Sequence, residues 1–274
     1  MHELFLTASI APSDFDTASA ILQGLTWMTA RRTTYRILFF AGPPQPRGLP
    51  GQPPPTPHVL APQYRSLWAD LAKQLTRASY VLQACFEIRP DHFAQGADAP
   101  GKPMEFNDMN ATLRWTEMPD PTRDSPVTSR KKIEIPFYTR LPAILNDNKH
   151  TYTNELIQET HLFIRDDVEI IFSRYYHVTD SSSSSAPPSS APSPPRAAQH
   201  LPAWADLKPI DPAQKWVLTV KLNVPEDGHP EKLRKAHDEL LRVKAEFEKL
   251  FDFRPVDRRV FDTRLAPPPG RMPP

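Results

Sequence analysis

Residues 154–178 read NELIQETHLFIRDDVEIIFSRYYHV. Two runs of about eleven residues, rich in β-branched and aromatic side chains, flank Asp166-Asp167, a pair with hairpin-turn chemistry. With those two residues as the loop, Phe163 opposes Ile170, Leu162 opposes Ile171, and Glu159 meets Arg174 as an opposite-charge pair. His161 and His177 then oppose Phe172 and Leu156 and do not meet. Each strand runs roughly 35 Å at about 3.3 Å per residue. Strands of that length coil around a barrel rather than lie in a small flat sheet.

Working outward from the hairpin, residues 2–10 read as a strand with Leu4, Leu6, Ala8 and Ile10 on one face. Pro12-Ser13-Asp14 opens a helix, with Ser13 or Asp14 expected to cap a free amide of its first turn. Phe15, Ala18, Ile21, Leu22 and Leu25 give that helix an apolar face. Further strands are expected at Tyr35–Phe40, Ser79–Arg89, Ala111–Glu117, Arg130–Phe137, Lys215–Val224 and Arg259–Thr263. A second helix is expected from Gln63 to Leu75. The longest starts at Pro230, a residue suited to the first helical position, and runs to Phe251. Its Leu233, Ala236, Leu240, Val243, Phe247 and Leu250 form a stripe that packs on the barrel, while Glu231–Lys235 and Asp238–Arg242 pair on the solvent side. The fold class is therefore α+β, predominantly β: a curved antiparallel β-barrel with two or three flanking helices.

Proline is the compositional oddity, at 34 against 8 glycines in 274 residues. Windows 42–57, 181–195 and 266–274 hold eight, five and five of them, so the remainder is close to ordinary usage. The expected organisation is a single β-barrel domain over 1–265, with disordered Pro-rich inserts at 42–61 and 179–202 and a disordered tail at 266–274. A net charge of +1 supplies no global field to steer nucleic acid or an anionic membrane. The single cysteine, Cys85, excludes a disulfide framework and fits a reducing compartment. With no secretory pattern at the amino end, a soluble protein of cytoplasm or nucleus is expected.

Motifs for chemistry are sparse. The nine histidines contain no His-Glu-x-x-His, and no Gly-x-Gly-x-x-Gly, Walker-type loop or Gly-x-Ser-x-Gly elbow occurs. Cys85, between Ala84 and Phe86, reads as a small buried apolar residue rather than a nucleophile. A charged barrel can hydrolyse triphosphates when strands carry Glu-x-Glu for a metal. Here the pattern occurs only as Glu246 and Glu248, within the last helix, where the two point apart. Glu134 stands alone, and Glu155, Glu159 and Glu169 are not alternate neighbours on one strand. Arg31-Arg32 and Arg130-Lys131-Lys132 read as solvated rims; of the latter three, at most two share a face. No catalytic, cofactor-binding or metal-ligating residue is assigned, and no partner-contact residue is identified.

Three stretches carry a resemblance. Met1 to Ile10 with Ile21 to Thr26, Arg114 to Pro121 with Val127 to Arg130, and Leu250 to Asp257 with Phe261 to Arg264 occur in the order and spacing of fungal subunit 18 of the Mediator complex. The chain resembles that family outside its three Pro-rich windows. The resemblance implies a nuclear, non-enzymatic scaffold of the Mediator head module, without cofactor or membrane association. It implies pairing with subunit 20, tethering by the carboxy-terminal helix of subunit 8, and action on RNA polymerase II through the assembled complex rather than by sequence-specific nucleic-acid binding. The alternative, a triphosphate-tunnel phosphohydrolase, rests on barrel shape alone.

Residues 181–195 are all Ser, Pro or Ala, with nothing large to bury. Deleting them is expected to shift stability by less than about 1 kcal/mol in denaturant titration, because each doubling of loop length costs only about 0.6 kcal/mol. An insoluble deletion product would show that the window is structural.

Overall fold

In β1 (His2–Ile10) the side chains of Leu4, Leu6, Ala8 and Ile10 are all buried in one apolar cluster, while Glu3 on the opposite face joins an ionic network. The computed structural model describes residues 1–42, 62–75, 80–95, 99–121, 125–137, 139–178, 197–225 and 229–255. After β1 come α1 (Phe15–Thr26), β2 (Arg31–Ala41), α2 (Arg65–Leu75), β3 (Val81–Ile88), β4 (Phe93–Ala94), β5 (Ala111–Thr116), β6 (Thr128–Phe137) and α3 (Leu141–Asp147). Then follow β7 (Thr151–Arg165), β8 (Val168–His177), β9 (Leu201–Ala203), β10 (Lys208–Pro209), β11 (Trp216–Val224) and α4 (Pro230–Phe247).

Eight of these strands close an antiparallel barrel in the order β8-β11-β1-β6-β5-β3-β2-β7, with β7 returning to β8. The hairpin closes it in the register read from the sequence. Phe163 faces Ile170, Leu162 faces Ile171, and Glu159 faces Arg174, with Asp166 in the left-handed region at φ 52°. Arg174 donates to Glu159 at 2.8 Å and lies over the Trp216 ring at 4.0 Å.

The apolar side of the wall faces outward. One cluster joins Leu4, Leu6, Phe172, Leu218 and Val220 to Leu22 of α1 and Leu240, Val243 and Phe247 of α4. A second joins Phe86, Leu113 and Ile135 to Trp68 and Leu71 of α2 and Leu141 and Leu145 of α3. A third places Met104, Leu201 and Leu207 over Ile88, Ile157 and Tyr176. Helices and two connecting segments thus form a coat around the barrel.

Several expectations are corrected. Among the described residues there are four α-helices rather than two or three, because α3 buries just Leu141 and Leu145, with Ile144 packed beside them, and is too short to show a stripe in sequence. Ser13 donates to Asp14 at 3.0 Å, and Asp14 ends a 3₁₀ turn, so neither caps α1. Helix α4 stops at Phe247. Both Leu250 and Phe251 then bond the Phe247 carbonyl at 2.9 Å, turning Leu250 outward and burying Phe251. Arg242 pairs with Glu239 at 2.8 Å, not with Asp238.

The second insert, expected over 179–202, is ordered by residue 197: the Gln199 carbonyl accepts the Met104 amide at 2.9 Å and Leu201 is buried in β9. Most of both inserts, the tail and the expected strand Arg259–Thr263 lie outside the described residues.

Phe247 is fully buried, between α4 and the barrel. Phe247→Asp is expected to unfold the protein, since truncating such a side chain alone costs about 3–5 kcal/mol and a buried unpaired carboxylate adds to it. Circular dichroism of the purified variant checks this.

Candidate functional site

Because strand side chains alternate, an outward apolar face leaves an inward polar one. The inner wall encloses a cavity of about 350 Å³ lined by Glu3, Arg31, Arg114, Arg130, Lys132, Glu134, Glu169 and Lys221, together with hydroxyl and amide side chains of Thr33, Tyr35, Gln158, Thr160, Ser173, Tyr175, Thr219 and Asn223. The ion pairs follow the strand register. Glu3 lies opposite Arg130, Arg114 opposite Glu134, and Lys221 opposite Glu169.

Arg130 donates to Glu3 at 2.6 Å and Arg114 to Glu134 at 2.7 Å. Lys132 joins the two pairs, 3.2 Å from each carboxylate. Lys221 lies 3.1 Å from Glu169 and 3.7 Å from Glu3, and Asn223 donates to Glu169 at 2.9 Å. The result is one charged ladder across β8, β11, β1, β6 and β5.

Burial by itself pushes Glu3 upward, but Arg130, Lys132 and Lys221 outweigh it and hold the carboxyl at about 2, below the ordinary 4.5. Glu134 is also held at about 2, where Arg114 and Lys132 overcome the same upward push. Burial pushes the Cys85 thiol up, so it is a poor nucleophile.

The residues singled out in the sequence fall in different places. Arg130 and Lys132 share the lumen face and are tied to carboxylates, which corrects the reading of that run as a solvated rim. Arg31 lines the lumen but is exposed, while Arg32 lines a hollow outside the wall. Glu134 is not alone, since Arg114 and Lys132 hold it. Glu246 of the helical Glu-x-Glu is clamped by Arg165 at 2.7 and 2.9 Å.

Glu155 lies outside the lumen lining, in a buried pair with Arg36 at 2.7 Å. Glu159 pairs with Arg174, and His161 packs edge-on against Phe15 and Trp216. What motif reasoning missed was the lumen ladder. Its signal was the charged or polar residue at alternate positions of nearly every strand.

The ladder makes a pH prediction. The unfolded chain takes up the Glu3 proton near pH 4.5 and the folded chain only near pH 2, so the stabilisation is complete above 4.5 and is lost between those values. On the order of 3 kcal/mol is at stake for Glu3. Glu3→Gln is expected to cost about 3–5 kcal/mol near neutrality by leaving cations uncompensated, and to flatten the acid limb of the stability curve. Urea melts from pH 7 to pH 3 check both effects.

Three comparisons bear on identity. A family model described as "Med18 protein" matches residues 2–264. Relatives named Mediator of RNA polymerase II transcription subunit 18 come from Coccidioides immitis and Aspergillus oryzae. They are 24% and 21% identical, over 97% and 96% of this chain and 100% and 99% of their own. A chain from the structure of the Schizosaccharomyces pombe Mediator head module shares the fold at a TM-score of 0.60 and 14% identity, covering 93% of this chain and 99% of that one. Matched from one end of the barrel to the other, the chain belongs to the Med18 protein family.

Proposed function

We propose that this protein is a structural, non-enzymatic subunit of the Mediator head module, working in the nucleus to couple regulators to RNA polymerase II. The observation that carries the reading is the family match over residues 2–264, with relatives named as Mediator subunits aligned over nearly their whole length. The described site chemistry favours a scaffold. Glu3, Glu134 and Glu169 are each bound to Arg or Lys, which leaves a hydrolase little carboxylate to offer a metal.

The proposed partners are subunit 20 and the carboxy-terminal helix of subunit 8. Contact surface is available at both rims of the barrel. Trp27, held in the left-handed region at φ 54° where α1 ends, is 93% exposed. Its neighbour Met28 accepts the amide of Ile164 near the hairpin tip, and Ile164 is also exposed. Elsewhere Ile210 and Val217, both exposed, line a hollow of about 240 Å³. A large exposed aromatic such as Trp27 is where interface energy concentrates, and exposed aliphatic side chains add apolar area.

Co-expression with subunit 20 and the subunit 8 helix is expected to give one co-eluting complex and to raise the soluble yield. Trp27→Asp and Val217→Asp should keep the circular dichroism of the parent, and at least one should weaken co-elution by tenfold or more, since a central interface residue is worth about 2 kcal/mol or more. A protein that elutes alone under all conditions, and is missing from purified Mediator, would overturn the proposal.

A further inference from the structure

The lumen carries more positive charge than its own ladder uses. Its lining holds five cations (Arg31, Arg114, Arg130, Lys132 and Lys221) against three carboxylates (Glu3, Glu134 and Glu169), a net of +2 in a chain of net +1. The three carboxylates are all engaged by the ladder, and among the described residues Arg31 has no ion-pair partner. Around these charges stand neutral polar groups: Thr33, Tyr35, Tyr175 and Thr219 each bring a hydroxyl-bearing side chain to the cavity lining.

The site holds one more unsatisfied polar group. Asn223 gives its amide hydrogens to Glu169 at 2.9 Å, which fixes its orientation, and its Oδ1 is buried with no donor. A buried acceptor of this kind calls for a bound donor, such as water or a protonated phosphate oxygen. At about 350 Å³ the cavity is within the size range of small-molecule sites.

We propose that the barrel lumen binds a compact multivalent oxyanion of the oligophosphate class, with Arg31 at the mouth supplying the uncompensated charge. Fixed cations in a partly desolvated cavity attract such an anion far more strongly than the same charges on an open surface. Several charge-assisted bonds reward a chain of phosphates over a single one. Recognition here requires no hydrolysis, and the inference stands or falls independently of the Mediator reading.

The test is calorimetric titration of the full chain, alone or in its co-purified complex, with inorganic tripolyphosphate, pyrophosphate and orthophosphate. Affinity is expected to rise with phosphate number and to fall with added salt. Arg31→Glu takes the lumen from +2 to 0 and is expected to weaken tripolyphosphate binding roughly tenfold or more. Arg31→Gln should fall between that variant and the parent, and Lys235→Glu, an equal charge change on the exposed face of α4, should have no effect.

Adding ATP to the series identifies the source. Equal affinity means that the phosphate chain alone is recognised, and much tighter ATP binding points to a nucleotide. No tripolyphosphate binding by folded protein overturns the proposal, as does loss that is equal in Arg31→Glu and Lys235→Glu. Binding of single-stranded RNA without tripolyphosphate binding also overturns it and assigns the charge to a nucleic-acid surface.

Discussion

Strand alternation with the apolar side turned outward is the constraint from which the rest of this structure follows. A barrel so built cannot stand bare in water: Leu4, Phe86, Leu113, Ile157, Phe172 and Leu218 would all lie on its surface. Each sector therefore has its own cover. Helices α1 and α4 lie over one and α2 and α3 over the next, while the segments around Met104 and Leu201–Leu207 lie over the third. The hydrophobic effect stabilises this protein between wall and coat, not in the barrel's middle. That is why the chain just past α4 turns Phe251 back to the wall, and why Leu250, one residue earlier, is left facing solvent.

The same alternation sends polar residues into the lumen, where charges are costly unless matched. The register solves the matching. Arg130 opposite Glu3, Arg114 opposite Glu134 and Lys221 opposite Glu169 bring opposite signs to cross-strand distance, and Lys132 links two of the pairs. A slip of one residue on any of these strands would turn its charges toward the coat and its leucines into the lumen. The ladder thus specifies register as well as adding stability. It also separates this barrel from a metal site, because carboxylates tied by Arg and Lys at 2.6–3.2 Å are poor ligands for a cation.

The hairpin was legible because its information is local. A turn pair and two apolar runs define a register within twenty-five residues, and the structure reproduces it at Glu159 and Arg174. The helical stripe of α4 was legible for the same reason. The lumen was not, since Glu3 finds Arg130 and Lys132 more than a hundred residues away, and only closure of the barrel brings them together. Reading Glu134 as solitary treated distance along the chain as distance in space. Helix α3 escaped because seven residues show too few periods, and the 197–202 segment because Pro, Ala and Gln there carry no strand pattern of their own. Its order comes from what it covers.

That cover also fixes the described chain on either side of the second proline-rich window. Strand β8 is held up to His177, which pairs with Lys208 of β10, so the wall is finished before the window begins. Beyond it, the chain is caught at once. The Ala198 carbonyl accepts a 2.7 Å bond from the fully buried Arg36, whose guanidinium also binds Glu155 at 2.7 and 2.8 Å and lies over the Phe106 ring. An arginine buried outside the lumen would be a liability if only partly bonded. Here its charge is matched by a carboxylate, and two further bonds go to a carbonyl and the Met104 sulfur. The described residues on either side of the window, His177 and Ala198, are each held by contacts of their own. The register of β8, and the ladder that depends on it, is set by its pairing with β7, β11 and β10.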